Sequence, residues 1–160
     1  MPQHSERRIV PYPAQQMFGL IADIERYPEF LPWCANAKLG EPQTIDGITV
    51  VNAELTVVFA AIREPYTSRV TIDPAQSLIE AVHVKGPFSH LNTRWRITPR
   101  GPGASLIECN VDFSLKSRSL QAVMTMVFGS AVARMANAFE QRARVLFGRS
   151  VDAVRSDEWR

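Results

Sequence analysis

The stretch from Ser119 to Phe147 constrains this chain more than any other. Its apolar residues recur at helical spacing: Val123 and Met124, Val127 and Phe128, Ala131 and Val132, Met135, Ala138 and Phe139, Val145 and Leu146. Ser117 or Ser119 can accept the orphan N–H groups of the first turn, and Gly148 can supply the residue that ends the last one. A helix over these residues is roughly 44 Å long at 1.5 Å per residue, longer than a small domain is wide. Another surface must therefore lie along it.

Charge divides this helix in two. Residues 119–133, SLQAVMTMVFGSAVA, contain no Asp, Glu, Lys or Arg, whereas Arg134, Glu140, Arg142 and Arg144 follow. Burial on two sides explains the uncharged half most simply, because the run is too short for a membrane span. The alternative sets one side on a sheet and leaves the other to line a ligand cavity or touch a membrane. Residues 134–147 are expected to clamp the fold and residues 120–133 to form a lid, with Gly129 allowing close packing or a slight bend.

The partner surface comes from the middle of the chain. Between Ala35 and Leu115 the apolar period is two, and turn signals at Glu41-Pro42, Asp46-Gly47, Arg63-Glu64-Pro65, Asp73-Pro74, Gly86-Pro87 and Arg100 to Gly103 cut it into an antiparallel meander. Strands are expected over about 48–61, 66–72, 78–84, 90–98 and 104–115. Alternation puts Val51, Ala53, Leu55, Val57 and Phe59 on one face, joined by Tyr66, Ser68, Val70 and Ile72, by Leu91, Thr93, Trp95 and Ile97, and by Ile107, Cys109, Val111 and Phe113. Asn92, Arg94, Arg96, Glu108, Asn110 and Asp112 fall on the outer face, where opposite charges make cross-strand pairs. Ahead of the meander, residues 5–12 predict a first strand and residues 14–25 a helix. Tyr27-Pro28-Glu29-Phe30-Leu31-Pro32-Trp33-Cys34 follows, too proline-rich for regular structure and too apolar for a solvent loop. It is either a one-turn helix plugging the core or the rim of an apolar pocket.

Chemistry that an enzyme would need is missing. There is no phosphate loop, nucleophile elbow or helical histidine pair, and Glu54, Glu64, Glu108 and Asp112 alternate away from the apolar face, so no acid/base pair is assembled. His83 and His90 could face each other across Gly86-Pro87, but a metal site usually needs a third ligand, and no metal is expected. Cys34 and Cys109 read as buried thiols of a reducing compartment. The N-terminus, MPQHSERRIV, has no apolar run, so no secretory leader is expected. The expected location is the cytoplasm, with peripheral contact at the inner membrane as an option. The basic surplus lies after residue 115 and is too diffuse to indicate DNA, although it would favour an anionic membrane surface or an RNA-containing partner.

The order strand, helix, proline-rich turn, meander and long terminal helix resembles the START-like helix-grip fold. This is an α+β architecture whose curved antiparallel sheet wraps around a long C-terminal helix, with two short helices after the first strand. The stretches Tyr27 to Cys34, Ser68-Arg69-Val70, Gly86-Pro87-Phe88 with Leu91 and Trp95, and Met135 to Arg142 are similar to its coenzyme-Q-binding branch, grouped with polyketide-cyclase-like proteins and ribosome association toxins. The resemblance covers residues 4–148, giving a domain over 1–148 and a polar tail over 149–160. It implies a non-enzymatic protein that requires no cofactor, binds ubiquinone or a similar polyisoprenoid lipid, and supports respiratory electron transport. It also implies a rival reading, a toxin that binds the large ribosomal subunit and blocks subunit joining. The expected ligand contacts are Tyr27, Phe30, Leu31 and Trp33 at the rim; Phe59, Tyr66, Ser68, Val70, Phe88, Leu91, Trp95, Val111 and Phe113 on the sheet; and Met124, Val127, Phe128, Val132 and Met135 on the helix. Ser68, Tyr66 or Arg134 could bond a quinone head.

Overall fold

The computed structural model describes residues 3–59 and 62–148. In chain order the elements are β1 (Gln3–Val10), α1 (Ala14–Ala22), a 3-10 helix (Ile24–Glu29), β2 (Cys34–Leu39), β3 (Gln43–Ile45), β4 (Ile48–Phe59), β5 (Ile62–Asp73), a 3-10 turn (Pro74–Gln76), β6 (Leu78–Lys85), β7 (Phe88–Pro99), β8 (Ser105–Leu115) and α2 (Arg118–Phe147). The strands form one antiparallel sheet in the order β1-β8-β7-β6-β5-β4-β2, with β3 paired to β4. This is the helix-grip fold. The expected tail, residues 149–160, lies outside the described residues.

Alternation explains the inner face. Val51, Ala53, Leu55, Val70, Ile79, Leu91, Trp95, Ile97, Cys109, Val111 and Phe113 are all buried, and Met17, Leu20 and Ile21 of α1 join them. The outer face carries the cross-strand pairs, among them Arg94 to Glu80 at 2.8 Å and Arg7 to Glu108 at 3.5 Å. The ends of α2 are set by its caps: the Ser117 hydroxyl accepts from the Leu120 N–H at 3.3 Å, and the Gly148 N–H donates to the Arg144 carbonyl at 2.9 Å.

Several expectations change. The strand expected from residue 66 begins at Ile62, so Arg63, Glu64 and Pro65 belong to β5 and not to a turn. Proline is tolerated there because pairing with β6 starts only at Thr67, leaving no ladder bond on that side to lose. Strands β2 and β3 were not anticipated: β3 is three residues long and exposed throughout, and β2 buries Cys34 and part-buries Ala37 across a register shift at Cys34–Asn36, so neither shows a run of alternation to read. The helix expected over 14–25 stops at Ala22, and Pro28 lies inside the 3-10 helix that follows. Finally, α2 is bent by 58° between 118–127 and 129–147, much more than a slight bend. Among the described residues no single helix is long and apolar enough to cross a membrane.

The two halves of α2 behave differently. In the second, Phe139 and Ala143 are fully buried, and β1 runs alongside: Arg8 donates to Asn137 at 2.5 Å, and the Tyr12 hydroxyl donates to the Gly148 carbonyl at 3.0 Å. In the uncharged half, residues 119–133, only Val132 is buried among the described side chains, while Val123 and Met126 are 49% and 87% exposed. Burial on two sides is therefore overturned. The uncharged half spans a void on its inner side and meets solvent on its outer side.

Candidate functional site

The void is a cavity of about 860 Å³ between the inner face of the sheet, the 3-10 helix and α2. Twelve of the expected contacts are on its wall: Tyr27, Trp33, Tyr66, Ser68, Val70, Leu91, Trp95, Val111, Met124, Val127, Val132 and Met135. Strands β5, β6 and β7 contribute every second residue, as Tyr66, Ser68 and Val70 or Leu91, Thr93 and Trp95 show, and α2 borders the cavity along residues 123–135 and at Phe139. Because Val123 and Met126 line the cavity and are also exposed, the mouth opens beside the lid half of α2.

Four expected contacts do not line the wall. Phe30 packs edge-on against Tyr27 and Phe139, with centroids 5.9 and 5.2 Å away, beneath the Arg142 guanidinium. Leu31 is 2% exposed in the core and turns its carbonyl to the Cys34 N–H. Phe88 sits behind the wall, 5.5 Å from the Tyr66 ring, and Phe113 is packed to 1% exposure. Phe59 and Phe128 have side chains outside the described part of the structure. The wall also includes residues not expected there, among them Ile24, Pro32, Val58, Ile79, Ala81, Gly129 and Phe139. The aromatic cluster around Phe139 could not be read from spacing, since it joins residues far apart in sequence.

The wall is chemically plain. Arg134 is its only charged member among the described residues, and it is exposed. The Tyr27 hydroxyl donates to the Ile21 carbonyl, so this residue shows the cavity its ring. Burial pushes the Tyr27 and Tyr66 phenols well above their ordinary range, which keeps both neutral. Burial also pushes the Cys34 thiol up to about 11 and the Cys109 thiol up to about 12. His90 lies 3.2 Å from Asp112 instead of facing His83, and no three His, Cys, Asp or Glu side chains gather in a metal-binding group among the described residues. Such a wall can desolvate an apolar molecule and offer it a few hydroxyls.

A family model described as polyketide cyclase/dehydrase and lipid transport matches residues 10–140. The chain belongs to the polyketide cyclase/dehydrase and lipid transport family. Within it, the chain is 34% identical over 149 residues to the ribosome association toxin RatA of Pseudomonas aeruginosa, covering 92% of this chain and 100% of that protein. It is 31% identical over 151 residues to the mitochondrial coenzyme Q-binding protein COQ10 homolog B of Xenopus laevis, covering 92% of this chain and 60% of that one. Among solved structures, the 18 kDa protein CC1736 of Caulobacter crescentus superposes with a TM-score of 0.80 at 32% identity, over 93% of this chain and 100% of that one.

Proposed function

We propose that the chain is a non-enzymatic carrier that binds ubiquinone or a related polyisoprenoid lipid in its cavity and so supports respiratory electron transport. The observation that carries this reading is the 860 Å³ apolar void under the uncharged half of α2. Each buried methylene contributes about 0.8 kcal/mol, so a prenyl tail needs only a dry lining to bind. At roughly 30 Å³ for a water-sized group, the void takes a substituted quinone ring and about three isoprene units, and a longer tail would fold back toward the mouth. Similarity to a coenzyme Q-binding protein supports the choice of ligand. The wall offers no carboxylate for acid/base work among the described residues, which supports binding without turnover. Loading would take place by peripheral contact with a membrane.

The test is organic extraction of protein purified from a quinone-producing host, followed by mass spectrometry and titration with added ubiquinone. A co-purifying quinone, lost in Val127→Arg while circular dichroism is unchanged, is the expected result. Absence of any bound lipid, together with no binding of added ubiquinone, would sink the reading.

A second reading is association with the large ribosomal subunit, favoured by the similarity to a ribosome association toxin over nearly the whole chain. Its test is co-sedimentation with 50S particles in sucrose gradients, where binding should weaken as salt rises. Failure to co-sediment at any salt concentration would remove it.

A further inference from the structure

Among the described residues three polar side chains are buried: Ser68, Asp73 and Ser105. Two are satisfied, since Asp73 accepts from the Gln76 N–H at 3.3 Å and the Ser105 hydroxyl donates to the Tyr12 carbonyl at 3.0 Å. Ser68, only 3% exposed, has no hydrogen-bond partner among the described residues and faces the cavity. Tyr66, roughly 7 Å away on the same face of β5, also lines the cavity, and its hydroxyl has no hydrogen-bond partner among the described residues. Its ring is fixed by Phe88, edge-on at 5.5 Å, and by Gly86, where an added Cβ would come within 2.6 Å of the Tyr66 Cβ. His83, opposite Ser68 in the β5–β6 register, does not line the cavity and packs its ring against Phe88 at 5.9 Å. The Ser68 and Tyr66 hydroxyls are thus free to donate to a molecule in the cavity.

Resting on the lipid-binding reading above, we propose that Tyr66 and Ser68 hold the ligand's polar head, a ring bearing hydrogen-bond-accepting carbonyls, and that the tail enters first and lies toward Trp95 and Phe139. The sheet register supplies the direction. Tyr66 pairs with Leu55 near the β4–β5 tip, whereas Trp95 pairs with Ile79 several rungs further in. Two neutral donors suit carbonyl oxygens, which accept and do not donate. Arg134 is the competing head site, but it is exposed and already hydrated, so a carbonyl there replaces water at little gain.

The test measures binding of two probes to the full chain: a benzoquinone with a ten-carbon tail and a benzene ring with the same tail and no carbonyl. Tyr66→Phe and Ser68→Ala remove only hydroxyls and leave the packing in place. The double variant is expected to bind the quinone about tenfold more weakly and the carbonyl-free probe unchanged. If both probes weaken equally, or if neither changes, the head is not held there, although the cavity reading survives. A quinone-selective loss in Arg134→Gln alone would move the head to Arg134 and overturn the proposal. If wild-type protein binds neither probe, the carrier reading fails, and this proposal fails with it.

Discussion

The rings of Trp95 and Phe139 meet edge to face, with centroids 5.1 Å apart and planes at 71°. Phe139 makes similar contacts with Tyr27 at 5.3 Å and Phe30 at 5.2 Å, so one side chain of α2 ties the helix to β7 and to the 3-10 helix. The same ring closes part of the cavity wall. Each such pair contributes about 0.5–1.5 kcal/mol beyond the area it buries. Phe139→Ala removes all three and enlarges the void, and it should lower the unfolding free energy by about 3–5 kcal/mol in urea denaturation. A loss below about 1 kcal/mol would show that the clamp lies elsewhere.

Arg142 joins the same cluster from above. It donates to Glu29 at 2.6 Å, and its guanidinium lies 5.2 Å from the centroid of Phe30. The arginine side chain is 14% exposed but the glutamate is 47% exposed, so water screens the pair. Glu29→Gln is expected to cost at most about 1 kcal/mol. Arg142→Ala should cost more, because its methylene stem and cation also cover Phe30. Equal losses in thermal unfolding would place the energy in the ion pair instead.

The sequence already shows these clamp residues as a pattern, but it does not show which void they border. Caps at Ser117 and Gly148 and the alternation of β4 to β8 were legible because each is a local signal repeated many times. Gly129 marked a place for a slight bend in α2 but not its size, since a 3.6-residue period is the same on a straight helix and on one turned by 58° between residues 127 and 129. Phe113 and Val111 share a face by alternation, yet Val111 meets the cavity and Phe113 is packed shut. The difference depends on what lies over each residue, and a strand's own sequence cannot encode that. Phe30 and Leu31 were marked by their size, and size is equally a mark of the core.

Gly86 fixes the position of Tyr66. Its φ of 144° is one that side chains rarely adopt, and an added Cβ would stand 2.6 Å from the Tyr66 Cβ and 3.0 Å from its Cα. Gly86→Ala must therefore strain the β6–β7 hairpin and push Tyr66 along the cavity wall. A destabilisation of about 1–3 kcal/mol in chemical denaturation is expected. Unchanged stability would mean that the hairpin tip relaxes without moving β5.

Alkaline pH provides a test of the interior beside that wall. Cys34 and Cys109 are 3% and 2% exposed, and burial raises their thiols from 9.0 to about 11 and about 12. The folded state therefore keeps protons that the unfolded chain releases above pH 9. Their stabilising contribution is complete below pH 9 and is lost as pH rises through the folded values. Stability should fall between pH 9 and 11, and the buried Tyr27 and Tyr66 phenols act in the same direction at the upper end. The Cys34→Ala, Cys109→Ala double variant should flatten the lower part of that fall relative to its own stability at pH 7. In the native protein at pH 8 both thiols should resist iodoacetamide, and both should react once urea unfolds the chain, as counted by intact mass. Rapid labelling of either cysteine in the native state would contradict a closed interior behind β2 and β8.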